Sequence, residues 1–174
     1  MNHRTQSMAE LAVFTGTAFL FSYIESLFPL PIPVPGIKLG LANLILVILL
    51  CRRGLSAAFA VSIVRNVLNA LTFGSLFGLF YSLAGTVLSL PAMAVLLKYA
   101  KKHPQLSLTS VSAVGGIIHN IGQFITAVCL VGYSAILHYL PFLYFAGLTA
   151  GVLIGLLASL CLQRLPQHII SSRN

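Results

Sequence analysis

Six apolar runs divide the chain, near 9–28, 39–51, 55–73, 77–98, 108–133 and 141–163, with polar or proline-bearing breaks between them. A membrane-crossing helix needs about 20 mostly apolar residues at a rise near 1.5 Å each. The second run is short for a full crossing. It either extends into the Cys51–Gly54 turn or lies tilted against its neighbours, with part of its length in the preceding loop. The breaks have separate physical causes. "PLPIPVPG" has proline at alternate positions, which excludes helix and predicts an extended, polyproline-like stretch. "CRRG" predicts a polar turn closed by a helix-ending glycine, and "KYAKKHPQ" a basic stop. "HYLPF" predicts a helix start with proline in its first turn.

Composition turns these runs into a membrane prediction. Of the 174 residues, 58% are hydrophobic and 7% charged, whereas soluble domains carry roughly 25% charged residues. Most side chains must therefore meet lipid or one another. With no tryptophan, Tyr and Phe supply any interfacial belt. The net charge of +8 is scattered among apolar runs, which is a topology signal and not a nucleic-acid-binding stripe. Cys51, Cys129 and Cys161 lack metal or redox spacing and read as free thiols. Arg4 before an apolar run imitates a signal peptide, but the run ends in "SYIESLFP" with no small-residue cleavage site, so a retained first span is expected.

Charge sets the direction of the spans. If six spans alternate, Arg4, Arg52, Arg53, Lys98, Lys101, Lys102, Arg164 and Arg173 fall on one side. Lys38 falls on the other, and Arg65 lies within a span. Because cytoplasmic loops attract Lys and Arg, both termini are expected in the cytoplasm and the proline loop outside. The expectation is an all-α integral membrane protein, a single domain over residues 1–174 with six transmembrane helices.

Polar residues at membrane depth are costly and mark cavities or helix contacts. They are Glu25, Asn43, Arg65, Asn66, Asn69, His119, Asn120 and Gln123. By helical rise, Arg65 and His119 lie about 15 and 17 Å from the cytoplasmic end of their spans. Asn69, Gln123 and Glu25 lie deeper along theirs, at about 21, 23 and 24 Å, and Asn43 sits about one turn below the outer end. All eight fall in the outer half. Arg65 with Asn69, and His119 with Gln123, are four apart and share a helix face. Asn66 and Asn120 join these stripes at a spacing of three. Gly115, Gly116 and Gly122 let a neighbour or ligand approach the backbone around the stripe on span five. The competing reading is that each amide only bonds between helices, and that Arg65 simply pairs with Glu25. Lys38 reads either as a lid over the cavity or as a snorkelling interface lysine. The stripe Gly147, Gly151 and Gly155 predicts close helix packing, and Ala9, Ala12 and Gly16 do the same on the first span.

Catalytic chemistry finds little material. The chain contains no aspartate, and its only acids are Glu10 and Glu25, too few to cluster around a divalent metal. No P-loop and no nucleophile–base–orienter set can be assembled. Neither an enzyme nor a bound cofactor or metal is expected.

"PGIKLGLAN", "VRNVLNALTFGSLFGLFYSLAGTVLS" and "GGIIHNIGQ" together resemble the Gx transporter family. Its members are often labelled heptaprenyl diphosphate synthase component I, and they are similar to the S components of energy-coupling factor (ECF) transporters. The resemblance covers about residues 9–163. It implies a six-helix bundle in the bacterial cytoplasmic membrane that binds a vitamin, cofactor precursor or metal near its outer face. It also implies a gate after the first helix, a membrane coupling subunit and a pair of cytoplasmic ATPases. Joined to the polar residues above, it leads to the expectation that Lys38 sits at the gate and that Arg65, Asn43, Asn66, Asn69, His119, Asn120, Gln123 and Glu25 contact solute. The positive charges of Lys38 and Arg65 point to a small anionic solute, such as a vitamin, cofactor or isoprenoid or quinone precursor. Ala9, Ala12 and Gly16 match the small-residue docking face, with glycine standing where the family pattern AxxxA has alanine. The alternative is a non-transporting accessory subunit for isoprenoid or quinone synthesis, or for flavin-linked electron transfer.

Overall fold

The computed structural model describes residues 3–27, 40–131, 138 and 140–164. Among them are α1 (His3–Leu27), α2 (Leu41–Arg53), α3 (Leu55–Thr72), α4 (Leu76–Ala100), α5 (Leu108–Val131) and α6 (Leu140–Arg164), with no strand. The "PLPIPVPG" segment and Lys38 lie outside the described residues. All the helices except α2 are long and apolar enough to cross a membrane. With 13 residues, α2 rises only about 20 Å, against a hydrocarbon thickness near 30 Å.

Two boundaries differ from the sequence reading. Helix α1 begins at His3, ahead of the apolar run, because no breaker separates the polar residues before Ala9 from it. Arg52 and Arg53 stay helical, so the expected four-residue polar turn shrinks to Gly54 alone. Gly54 has φ 86° and ψ −172°, a conformation that essentially only glycine adopts. Its amide donates to the Leu50 carbonyl (3.2 Å) and its carbonyl accepts from Ala58 (3.3 Å). One residue thus closes α2 and opens α3.

Helix α2 is the centre of the bundle. Seven consecutive residues, Leu44 to Leu50, are buried, so no face is left polar. It packs against α1, α3, α4 and α6. Helices α4, α5 and α6 form a second packed group through small residues. A Cβ on Gly151 would lie 2.5 Å from the Ser112 carbonyl, and one on Gly155 2.6 Å from the Thr109 Cα. Gly122 approaches the Ala84 carbonyl of α4 in the same way. Backbones this close gain van der Waals contact that lipid cannot match, and any side chain would push them apart. The glycine stripe of α6 is therefore an internal seam against α5, not an outer docking face.

The packing sorts polar groups to two ends. Where α1 begins and α2 ends, Arg53 donates to Glu10 and to the Ser7 hydroxyl (3.3 Å). Arg52 lies 3.8 Å from the same carboxylate and 5.9 Å from the Phe14 ring centroid. At the opposite end, Phe73 after α3 meets Phe19 and Tyr23 of α1, with ring centroids 5.7 and 5.6 Å apart.

Candidate functional site

A cavity of about 270 Å³ lies at this second end, away from Glu10 and its arginines. Every helix contributes to it. Helix α1 supplies Ser22 and Glu25, and α2 supplies Asn43 at its amino end, just after Gly40. Gly40 has φ 78° and ψ 26°, a left-handed conformation that glycine adopts without strain. Its amide donates to a Glu25 carboxylate oxygen, which ties the start of α2 to the end of α1.

Helix α3 contributes Arg65 and Asn69, one turn apart on the same face, and α5 contributes His119, Asn120 and Gln123. Helix α4 adds Phe77, Tyr81 and Ser82, while Ala146, Gly147 and Ala150 of α6 leave the remaining wall without bulk. The i, i+4 pairing read from the sequence accounts for these stripes.

Hydrogen bonding sorts the polar groups into supports and open positions. Arg65 Nη2 donates to Asn66 Oδ1 at 2.7 Å, and the Ser82 hydroxyl donates to the same oxygen at 2.9 Å. Asn66 Nδ2 reaches Ser62, which in turn bonds Thr86. Asn66 does not line the cavity. It stands behind Arg65 and bonds it, whereas the sequence reading placed it against solute. Asn120 is also committed, donating to the Leu143 carbonyl of α6 at 2.7 Å. His119 lies 3.4 Å from the Ser89 hydroxyl through Nδ1, with its ring against Gly85, where a Cβ would come within 2.7 Å of it.

Three buried atoms on the wall have no hydrogen-bond partner: Arg65 Nε, Asn69 Oδ1 and Gln123 Oε1. Arg65 is 4% exposed and Gln123 7%. Leaving a buried polar group unsatisfied costs about 1–3 kcal/mol, more if it is charged. All three atoms belong to residues that line this one cavity.

Arg65 and Glu25 share the cavity, yet the ion pairs among the described residues join only Arg52 and Arg53 to Glu10. The cavity therefore carries charge of both signs. Below it lies a chamber of about 30 Å³ that shares Asn43 and His119 and is lined by the hydroxyls of Thr86, Ser89 and Ser112. That is about the share of one water molecule.

Sequence reasoning missed Ser22, Tyr81 and Ser82. Hydroxyls are ordinary in membrane helices, and several here satisfy themselves on the preceding turn, as Thr86 does on the Ser82 carbonyl (2.9 Å). No period or spacing marks the few that face inward. Lys38 lies outside the described residues. Ala9, Ala12 and Gly16 do not reach the cavity; they are exposed along one face of α1 beside Val13 and Leu20. A Cβ on Gly16 would meet nothing within 4 Å. Among the described residues, no group of three His, Cys, Asp or Glu side chains could hold a metal ion.

The chain matches, over residues 14–161, the family model described as heptaprenyl diphosphate synthase component I. No curated protein and no solved structure matches it.

Proposed function

Because the chain belongs to the heptaprenyl diphosphate synthase component I family, whose description names one part of a multi-part system, we propose that it is the solute-binding membrane component of such a system. The reading rests on one observation above all: Arg65 Nε, Asn69 Oδ1 and Gln123 Oε1 are buried and partnerless around a single cavity. Such a wall costs stability when empty and regains it when a complementary solute enters. The role follows the S-component pattern: capture near the outer face, then release inward with a coupling subunit and two ATPases. Arg65 and Asn69 hold the solute from α3, and His119 and Gln123 from α5; the gate residue expected from the sequence, Lys38, lies outside the described residues. The exposed small face of Ala9, Ala12 and Gly16 receives the coupling subunit. All six helices take part in the crossing, α2 only partway, with both termini on the cytoplasmic side of a bacterial membrane. The protein itself performs no catalysis.

The test is release of solute. Extracted gently in detergent, the full chain should yield a small molecule detectable by mass spectrometry after denaturation. Ala150→Phe, which fills the cavity from α6, should yield none while melting within a few degrees of the wild type. Equal retention by both proteins would place any bound molecule elsewhere and sink the reading.

A second reading is favoured by the family description itself: an accessory subunit for isoprenoid synthesis. Against the cavity as a prenyl site stands its size. A volume of about 270 Å³ lies at the lower edge of the roughly 300–1,000 Å³ of small-molecule sites. A chain of seven isoprene units is longer than a site of that size encloses whole. If the accessory reading holds, the prenyl synthase partner should co-purify with the chain, and Ala150→Phe should leave prenyl chain synthesis unchanged.

A further inference from the structure

The two charges in the cavity carry an inference about what fills it, resting on the solute-binding reading above. Glu25 lies near the carboxyl end of α1, and Arg65 lies one turn further from the α3 terminus than Asn69. Helical rise sets Arg65 about 6 Å below Asn69, and His119 about 6 Å below Gln123. The wall therefore has two levels. The lower holds the guanidinium, anchored by Asn66 with Nε left open. The upper holds acceptors: the unpartnered amide oxygens of Asn69 and Gln123, and the Glu25 carboxylate, whose one described hydrogen bond comes from the Gly40 amide.

A solute bearing only an anion would satisfy Arg65 and place its charge in the same small volume as an uncompensated carboxylate. A solute bearing only a cation would leave the guanidinium buried and alone. Either arrangement leaves a net charge in the cavity, and the cost is greatest where it falls on the buried Arg65. A solute with both charges compensates both. An ammonium offers up to three N–H donors and no acceptor, which suits an upper level made of oxygens.

We propose that the cavity binds a compact zwitterion, an amino-acid-like molecule with its carboxylate or similar oxoanion on Arg65 and its N–H-bearing cation among Glu25, Asn69 and Gln123. This replaces the net anionic solute that Arg65 and Lys38 suggested from the sequence. The volume of about 270 Å³, at the lower edge of the roughly 300–1,000 Å³ of small-molecule sites, suits a compact molecule.

The experiment uses the full chain, freed of retained solute, and isothermal titration with α-amino acids and ω-amino acids of increasing length. Each is compared with its des-amino acid and with its amine. At least one zwitterion should bind, with both single-charge analogues at least tenfold weaker. Glu25→Gln keeps an oxygen for the Gly40 amide but removes the charge. It should erase the preference for the zwitterion over the des-amino acid, and Arg65→Met should erase the preference over the amine. Equal binding of zwitterion and des-amino acid by the wild type would overturn the proposal, as would discrimination that survives Glu25→Gln. If no zwitterion binds while another solute is retained by the wild type but not by Ala150→Phe, the assignment fails and the cavity stands as a binding site. If a zwitterion binds Ala150→Phe as tightly as the wild type, the cavity reading itself fails.

Discussion

The chain's two acids, Glu10 and Glu25, sit near opposite ends of α1 and are used in opposite ways. Glu10 faces two arginines from α2, so that carboxylate is paired within the fold. Glu25 has an arginine in the same cavity but makes no ion pair with it, and Arg65 leans on a neutral amide instead. The same residue types close one end and leave the other open. Stability and binding should therefore separate along the length of the bundle.

Arg65→Ala is the strongest attempt to break that contrast. Losing a charge-assisted contact of about 1.5–3 kcal/mol should weaken solute binding by roughly ten- to a hundredfold. The solute-free protein should melt no lower than the wild type, because a buried guanidinium held by a neutral amide and no ion pair costs desolvation on folding. A fall of many degrees in a detergent thermal melt would make Arg65 structural glue and the two ends alike. Glu10→Gln probes the other end with the opposite signature. It removes the carboxylate that Arg52 and Arg53 share, so stability should drop by about 1–2 kcal/mol, moderated because Glu10 is partly exposed. Solute affinity, read by titration, should not change. The smallest effect belongs to Asn66→Ala, which loosens Arg65 without touching the cavity. Binding should weaken several-fold, and the effect should vanish in an Arg65→Ala background, as a double-mutant cycle would measure. Persistence there would give Asn66 a contact of its own.

Much of this was legible in the sequence because lipid imposes simple rules. Apolar run length placed six helices, and i, i+4 spacing placed Arg65 with Asn69 and His119 with Gln123 on shared faces. The Gly147, Gly151 and Gly155 stripe foretold a close seam, though not that α5 would be its partner. What was hidden depends on relations between helices. Nothing in the spacing of Asn66 says that its oxygen turns back to Arg65 and Ser82 and away from the cavity. Nothing along the chain separates a carboxylate that pairs with an arginine from one that only shares a cavity with it. Arg52 and Arg53 looked like turn residues because charge usually ends an apolar helix, whereas Glu10 from another helix lets them stay helical.

The brevity of α2 has a consequence for how the protein is made. A segment of 13 residues is too short to settle across a bilayer by itself, and the single residue Gly54 joins it tightly to α3. Ribosome and insertion channel would therefore release the two as one hairpin, α3 carrying its shorter companion into the lipid. Helix α6, which packs against α2, is synthesised last of the six. Until it arrives, that side of α2 faces lipid or the insertion machinery. The segment at the heart of the finished bundle is thus among the first to be made and the last to be enclosed.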